Sequence, residues 1–527
     1  MNIYFLGMLI SMILYIVLGV IISNKVKNAN DFFVAGRQAP TILIVGSLVA
    51  SYCSTGLFMG DVGEAYGGFY VPFIITVIMQ TSGYILGSVF FGKYLRRSEA
   101  LTIPEFFGKR FHSRRIRILA AITAIFTMTV YLLSVMQGIG TLMNYVTGID
   151  YNLCIFLALI TFTILTFLAG SKGVLITDTI MFGIFTIASL VAIVVMINKL
   201  GGWYHAVESV TKMNPVLFSW HGDLNHLYGS GIENMVWALI TGLTWVSVCA
   251  IGPWQSSRYL MAKSEHVVVR SSVWAAIGVG LLEFFIPTTA VLLNIHSSNI
   301  DSPSHAMIWA AMNLIPTLLG VVMLTGVLAA GISSATTFLS LVGSAVANDI
   351  CHIEDEKKLH IGRISIIGVS IVVMALAFFN PPQIYVVLLL SGTVVTCAWL
   401  PVCITSIWSK KVTEAGAFWG MLLGFSVCAI TKILASIFDF SFPVYTDPFF
   451  LGLAANILGL IVGSKMTKVS TEEKIQLDKL MIVPEKEKSI IEIQKTKKHV
   501  FVFIGYGVAM MIIMICFWVI PYWYFCR

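Results

Sequence analysis

Apolar residues run in blocks of the roughly twenty needed to cross a bilayer as a helix, separated by short polar connections. The blocks fall at about 2–23, 41–66, 69–95, 116–147, 151–170, 174–199, 232–260, 268–295, 307–347, 361–379, 382–408, 413–435, 448–466 and 499–525. This pattern predicts an all-α polytopic membrane protein of about fourteen transmembrane helices. The first block lacks the basic flank and small-residue cleavage site of a signal peptide, so it is read as a retained helix. The longest polar stretch, 467–498, is rich in Lys and Glu and is expected to be a charged cytoplasmic loop with some helix.

Composition narrows the class. The chain of 527 residues is 57% hydrophobic and 11% charged, which excludes a soluble globule. With the N-terminus outside and every block crossing, 29 of the 33 Lys and Arg residues fall on the inner side, leaving Lys199, Lys212, Lys432 and Arg527 outside. A wrong span count would scramble that asymmetry, so positive-inside bias predicts a plasma (bacterial inner) membrane protein with both termini outside. The net charge of +7 then reports topology and acidic lipid contact, not nucleic acid. The nine cysteines form no C-x-x-C pair, and none of the ten histidines pairs with Cys or a carboxylate at motif spacing. No enzyme activity, organic cofactor or obligatory protein partner is expected; the lipid bilayer and a small organic solute are.

Two blocks carry residues that oppose a continuous helix. The second contains Ser51, Tyr52, Cys53, Ser54, Thr55 and Gly56, followed by Gly60, Asp61, Gly63 and Glu64. The seventh contains Gly252-Pro253, a step that removes an amide donor and disfavours helix before it. Unwound backbone at membrane depth is tolerated where it lines a cavity or is buried in protein. The two weak spans each open a set of five, 41–199 and 232–408, and an odd number of crossings gives the sets opposite orientation. That predicts a 5+5 inverted-repeat core with two broken helices. Around it lie an N-terminal extra helix and inner loop (1–40), an outer loop (200–231) and C-terminal helices (409–527).

The segment from Leu328 to Thr337 adds chemistry. Ser333, Ser334, Thr336 and Thr337 place four hydroxyls in five residues of a spanning helix, and hard uncharged oxygen suits alkali cations. Local sequences extend the theme: Asp31-Phe-Phe-Val-Ala-Gly-Arg37, Ile103-Pro-Glu-Phe-Phe-Gly-Lys-Arg-Phe111, Gly170-Ser-Lys-Gly-Val-Leu-Ile-Thr-Asp178, Arg258-Tyr-Leu-Met-Ala-Lys-Ser264, and the hydroxyl segment ending Asn348-Asp-Ile350. Together, in this order, they resemble the sodium/solute symporter family, whose core has the LeuT-type inverted repeat.

The resemblance implies a sodium-coupled secondary symporter with Na+ as the coupling ion. Its sodium would be held by backbone carbonyls at Ala50, Cys53 and Ala330 and by the hydroxyls of Ser333 and Ser334. Residues 330, 333 and 334 share one helix face, and a site without a carboxylate disfavours a proton. Some members hold a second sodium, at positions that match Asp178, Thr336 and Thr337. The family's substrate pocket maps to Tyr52, Thr55, Gly56, Thr76, Gln80, Gln137, Trp245 and Glu283. Gly56 and Trp245 stand where sugar transporters carry polar groups, so a hexose is not expected. Glu283 suits a positively charged group and the aromatics add cation–π attraction, whereas the free amides of a broken helix suit a carboxylate. A zwitterion, amine or carboxylate is therefore expected. Asp61 and Glu64 are read as a wetted helix end at the mouth. Alternative readings are a proton-coupled transporter of the same fold, a cation channel, or a transporter-like sensor.

Overall fold

Two interruptions of helix, both within apolar stretches, organise the structure. In the computed structural model, residues 3–23, 33–225, 228–351, 355–379 and 384–526 are described; Lys25, Lys27, Asp31 and Phe32 lie outside them. The first interruption separates helix Thr41–Tyr52 from the more widely wound run Gly56–Asp61. Cys53 leaves the helical region with φ −72° and ψ 78°. The Ser54 amide then bonds the Tyr52 carbonyl at 2.8 Å, not the carbonyl of Ala50 four residues back that a helix would use. The Ser54 hydroxyl accepts from the Gly56 amide at 3.0 Å, so the unwound turn satisfies its own donor.

The second interruption separates Gly231–Ile251 from Pro253–Met261. Gly252 sits at φ −52° and ψ 136°, and Pro253 has no amide to continue the ladder. A Cβ at Gly252 would stand 2.6 Å from the Val248 carbonyl oxygen, so the bend needs glycine. The Ser256 hydroxyl bonds the Ile251 carbonyl at 3.0 Å and repairs part of the loss.

Among the described residues no strand forms, and twelve helices are long and apolar enough to cross a membrane. Two shorter apolar helices, Thr41–Tyr52 and Tyr151–Phe167, accompany them. The expected fourteen is thus an approximate count. Helical backbone runs on through Gly56–Ser98, where the sequence divides two blocks; Gly68, at φ +117°, marks the bend between them. The 49-residue run Tyr151–Lys199 likewise contains two of the expected blocks.

The hydroxyl-bearing helix Thr317–Ala345 packs against Tyr151–Lys199, Arg114–Thr147 and the first broken helix. Gly231–Ile251 packs against Tyr70–Gly87. At the end of the bundle rich in Lys and Arg, the two broken helices are tied by backbone. The Ala39 amide donates to the Met261 carbonyl at 3.1 Å, and the Lys263 amide to the Ala39 carbonyl at 3.1 Å. Arg96 Nε adds a bond to the Ala262 carbonyl at 2.6 Å. The charged stretch 467–498 includes the helix Thr471–Met481, which starts at a Ser470/Glu473 capping box. It lies on this basic face, where Arg110 donates to the Glu473 carbonyl at 3.1 Å and Glu487 accepts from the Glu265 amide at 3.2 Å.

Candidate functional site

Because Ser54 turns back to Tyr52, the Ala50 carbonyl has lost its helical donor. The Ser334 hydroxyl takes its place, at 3.2 Å from Ala50 O and 3.5 Å from Ser51 O. Ala50, Cys53, Ala330, Ser333 and Ser334 are all fully buried, on two helices packed together. A released carbonyl and a hydroxyl facing one another across a helix contact are neutral oxygens of the kind a sodium ion recruits. The residues present fit that ion.

The other hydroxyls divide differently from their sequence grouping. The Ser333 hydroxyl donates to Asp178 Oδ1 at 2.6 Å and not toward Ala50. Thr337 Oγ1 lies 3.3 Å from Asp178 Oδ2, and the Ser47 hydroxyl donates to the same oxygen at 2.5 Å. Thr336 takes no part: its hydroxyl bonds back to the Ser333 carbonyl at 2.9 Å. One further group enters here that the sequence placed only among the inner-side basic residues and at the head of a family-like motif. Arg258, from the second broken helix, sets its Nη2 3.4 Å from Asp178 Oδ2 and 2.5 Å from Thr337 Oγ1, and its Nε 2.9 Å from Ser47 Oγ. The signal was available in principle, since a buried arginine in a spanning segment demands a counter-ion.

A second region is built around Tyr52, at the end of the helix Thr41–Tyr52. The Tyr52 hydroxyl donates to Gln80 Oε1 at 2.5 Å. The Tyr52 ring meets Trp245 edge-on at a centroid distance of 5.7 Å and Tyr84 at 6.4 Å. Tyr131 continues the aromatic wall, 6.5 Å from Trp245 and 5.1 Å from Trp254. Beside these groups Glu283 is 2% exposed, and neither of its carboxylate oxygens has a hydrogen-bond donor. Gln80 is its polar neighbour, with Nε2 itself unbonded, and a second buried carboxylic acid, Asp61, lies within electrostatic range. Asp61 is buried, at 8% exposure, where a wetted helix end was expected. Its helix turns inward there, and half-buried Glu64 instead lines a crevice of about 590 Å³ with Asn144, Ser302 and Tyr385.

The remaining pocket expectations scatter. Thr55 spends its hydroxyl on the Val135 carbonyl at 3.2 Å, and Gly56 backs onto Leu388. Thr76 pairs with Thr241 at 2.8 Å in a helix–helix contact. Gln137 is buried on the helix that carries Tyr131.

The model of the sodium:solute symporter family matches residues 32–424, about three quarters of the chain. The chain belongs to that family. It is 24% identical over 484 residues to the sodium/proline symporter of Escherichia coli (strain K12), covering 85% of this chain and 89% of the relative. It is 25% identical over 489 residues to a sodium/proline symporter of Staphylococcus aureus (strain bovine RF122 / ET3-1), covering 84% and 88%. Among solved structures it resembles a Na+-coupled sialic acid symporter in a substrate-bound outward-open state, with a TM-score of 0.73 at 18% identity, over 89% of this chain and 99% of that one. A nucleobase-cation-symport-1 family transporter gives a TM-score of 0.54 at 11% identity, over 86% and 100%. These likenesses establish the LeuT-type fold that the family resemblance implied. This family member is a multi-pass membrane protein and a sodium-coupled solute symporter, and the relatives named are transporters, not enzymes.

Proposed function

We propose that this symporter imports a small solute carrying a positively charged nitrogen, such as an amino acid or another zwitterion or amine, and that Glu283 meets that nitrogen. The observation that carries the reading is the buried Glu283 carboxylate without a donor. An isolated carboxylate in a low-dielectric interior costs several kcal/mol unless a partner arrives, and by default it marks function. A second buried carboxylic acid, Asp61, lies within electrostatic range, and two acids in one low-dielectric region ionise together only when a cation joins them. The Tyr52 and Trp245 rings beside it offer π-faces to a cation and apolar area to a ring or chain. Sodium/proline symporters among the relatives are consistent with a zwitterionic amino acid. A sugar would find too few fixed partners here, since Thr55 and Thr76 are engaged elsewhere.

The sodium ion takes the carbonyls of Ala50, Cys53 and Ala330 and the hydroxyl of Ser334 as ligands. Ser333 joins when its hydroxyl turns away from Asp178. The ion would close the turn at Cys53 and so set Tyr52 and Gly56 for the solute, which couples the two bindings through one piece of backbone. The basic face is assigned to the cytoplasm and both termini to the outside, on positive-inside bias.

The test is thermal stability of purified protein against amino acids, betaines, choline, amines, monocarboxylates and sugars, in sodium and then in potassium. Ligand binding raises Tm by mass action. A solute with a cationic nitrogen is expected to stabilise in sodium only, and Glu283→Gln to abolish that shift while keeping the shift due to sodium alone. Stabilisation by a sugar or a simple monocarboxylate, unchanged in Glu283→Gln, would overturn the reading.

A further inference from the structure

Asp178 is fully buried, and four oxygen- or nitrogen-bearing side chains from three helices converge on it. Ser47 comes from the first broken helix, Ser333 and Thr337 from the hydroxyl helix, and Arg258 from the short half of the second broken helix. The guanidinium is itself 2% exposed and is bonded in turn to Ser47, Ser257 and Thr337. Two of the oxygens that a second sodium ion would recruit beside Asp178, its own Oδ2 and Thr337 Oγ1, therefore already accept from an arginine. Both cations carry a single positive charge, so one can replace the other without changing the charge of the site. They cannot share it, because two cations beside one buried carboxylate repel strongly at low dielectric.

The helix that carries Arg258 adds a mechanical element. Pro253–Met261 is separated from the rest of its span by the bend at Gly252. Its far end is held by the Ala39–Met261, Lys263–Ala39 and Arg96–Ala262 bonds at the basic face. While those bonds stand, Arg258 stays over Asp178. A movement of Pro253–Met261 that opened this face would draw the guanidinium out and leave Asp178 needing another cation.

We propose that Arg258 is the resident counter-ion of Asp178, a tethered cation that excludes a second sodium ion while the second broken helix is docked, so that this form binds one sodium. The inference rests on sodium coupling and is independent of the identity of the solute. It also gives Ser333 a linking role. Its hydroxyl bonds Asp178 in the docked form, and recruiting it to the sodium beside Ala50 would loosen the arginine cluster.

Equilibrium binding of radioactive sodium alone to the purified full-length protein, in a background of a bulky organic cation, tests this. Wild type is expected to bind one sodium per chain with a Hill slope near one. Arg258→Met, checked for monodispersity and helix content, is expected to bind two. Adding Asp178→Asn to Arg258→Met should return the number to one. Should Arg258→Met fail to fold, Thr337→Ala in the otherwise wild-type chain gives the second reading. With the arginine in place, its sodium half-saturation should stay within about twofold of wild type. Two sodium ions on wild type, a folded Arg258→Met that still binds one, or a tenfold weakening in Thr337→Ala would each overturn the proposal. No sodium binding at all in wild type would instead count against the sodium site beside Ala50.

Discussion

Two polar sites share a single turn of the helix Thr317–Ala345, and they are built on opposite principles. On one side Ser334 faces the Ala50 carbonyl, which the break at Cys53 has freed, and no charged group takes part. On the other, Ser333 and Thr337 serve a buried carboxylate closed by an arginine of the same chain. Neutral oxygens hold an alkali ion weakly enough to release it, as a transport cycle requires. A buried carboxylate cannot be left without a cation, because desolvation makes the unpaired charge prohibitive. The difference teaches how one helical turn can bear both an exchangeable ion site and an ion pair closed by the chain's own arginine.

The largest effect that sharpens the contrast comes from breaking the pair on one side only. Asp178→Asn strands the Arg258 guanidinium in the interior, and removing one partner of a buried pair costs about 3–5 kcal/mol. A marked fall in Tm in sodium-free buffer is the expected outcome. The double variant Asp178→Asn/Arg258→Met should recover much of that loss, since no uncompensated charge remains. A single variant as stable as wild type would show that water or another group already neutralises Arg258, and the contrast would fail.

The neutral site predicts a smaller effect, of a different kind. Ser334→Ala removes one ligand from the ion, and hydrogen-bond-type contacts to a charge are worth ~1.5–3 kcal/mol. Sodium half-saturation should therefore rise by about 10- to 100-fold. The sodium-free Tm should fall less than in Asp178→Asn, by the ~1–3 kcal/mol of an unsatisfied Ala50 carbonyl at most. Equal losses in both variants, with sodium affinity intact in Ser334→Ala, would erase the distinction between the two sites.

The sequence exposed these two regions unequally. The break at Gly252-Pro253 was legible because proline's missing amide is a local fact that no packing can reverse. The turn at Cys53 was legible from its Ser, Thr and Gly cluster, since those residues lower the cost of leaving a helix. The division between Ser333 and Ser334 was not. Helical periodicity places 330, 333 and 334 on one face, but successive residues still differ by about 100°, and the partner each hydroxyl meets depends on which helices pack there. Arg258 stayed hidden for a related reason: its long side chain crosses between helices far apart in sequence, and no spacing rule reports that reach. Asp61 was misread as wetted because a carboxylate near a helix end is usually hydrated. Here Asp61 ends the run Gly56–Asp61 buried in the interior, within electrostatic range of Glu283.

The finest test falls on Thr336, the one hydroxyl of the four that belongs to neither site. Its bond to the Ser333 carbonyl, at 2.9 Å, is local to its own helix, and such back-bonding contributes little or slightly bends the helix. Thr336→Val preserves the branched shape and removes only the hydroxyl, so packing is kept. Stability should change by less than ~1 kcal/mol, the usual net worth of a neutral hydrogen bond, and sodium half-saturation by less than about twofold, as read by thermal unfolding and sodium titration. A loss of sodium affinity as large as that in Ser334→Ala would mean that the four hydroxyls act as one cluster. The ion would then sit between the two sites, with Arg258 at its edge. If Thr336→Val is silent while Ser334→Ala is not, then three residues of spacing on one helix separate an ion ligand, an arginine acceptor and a bystander.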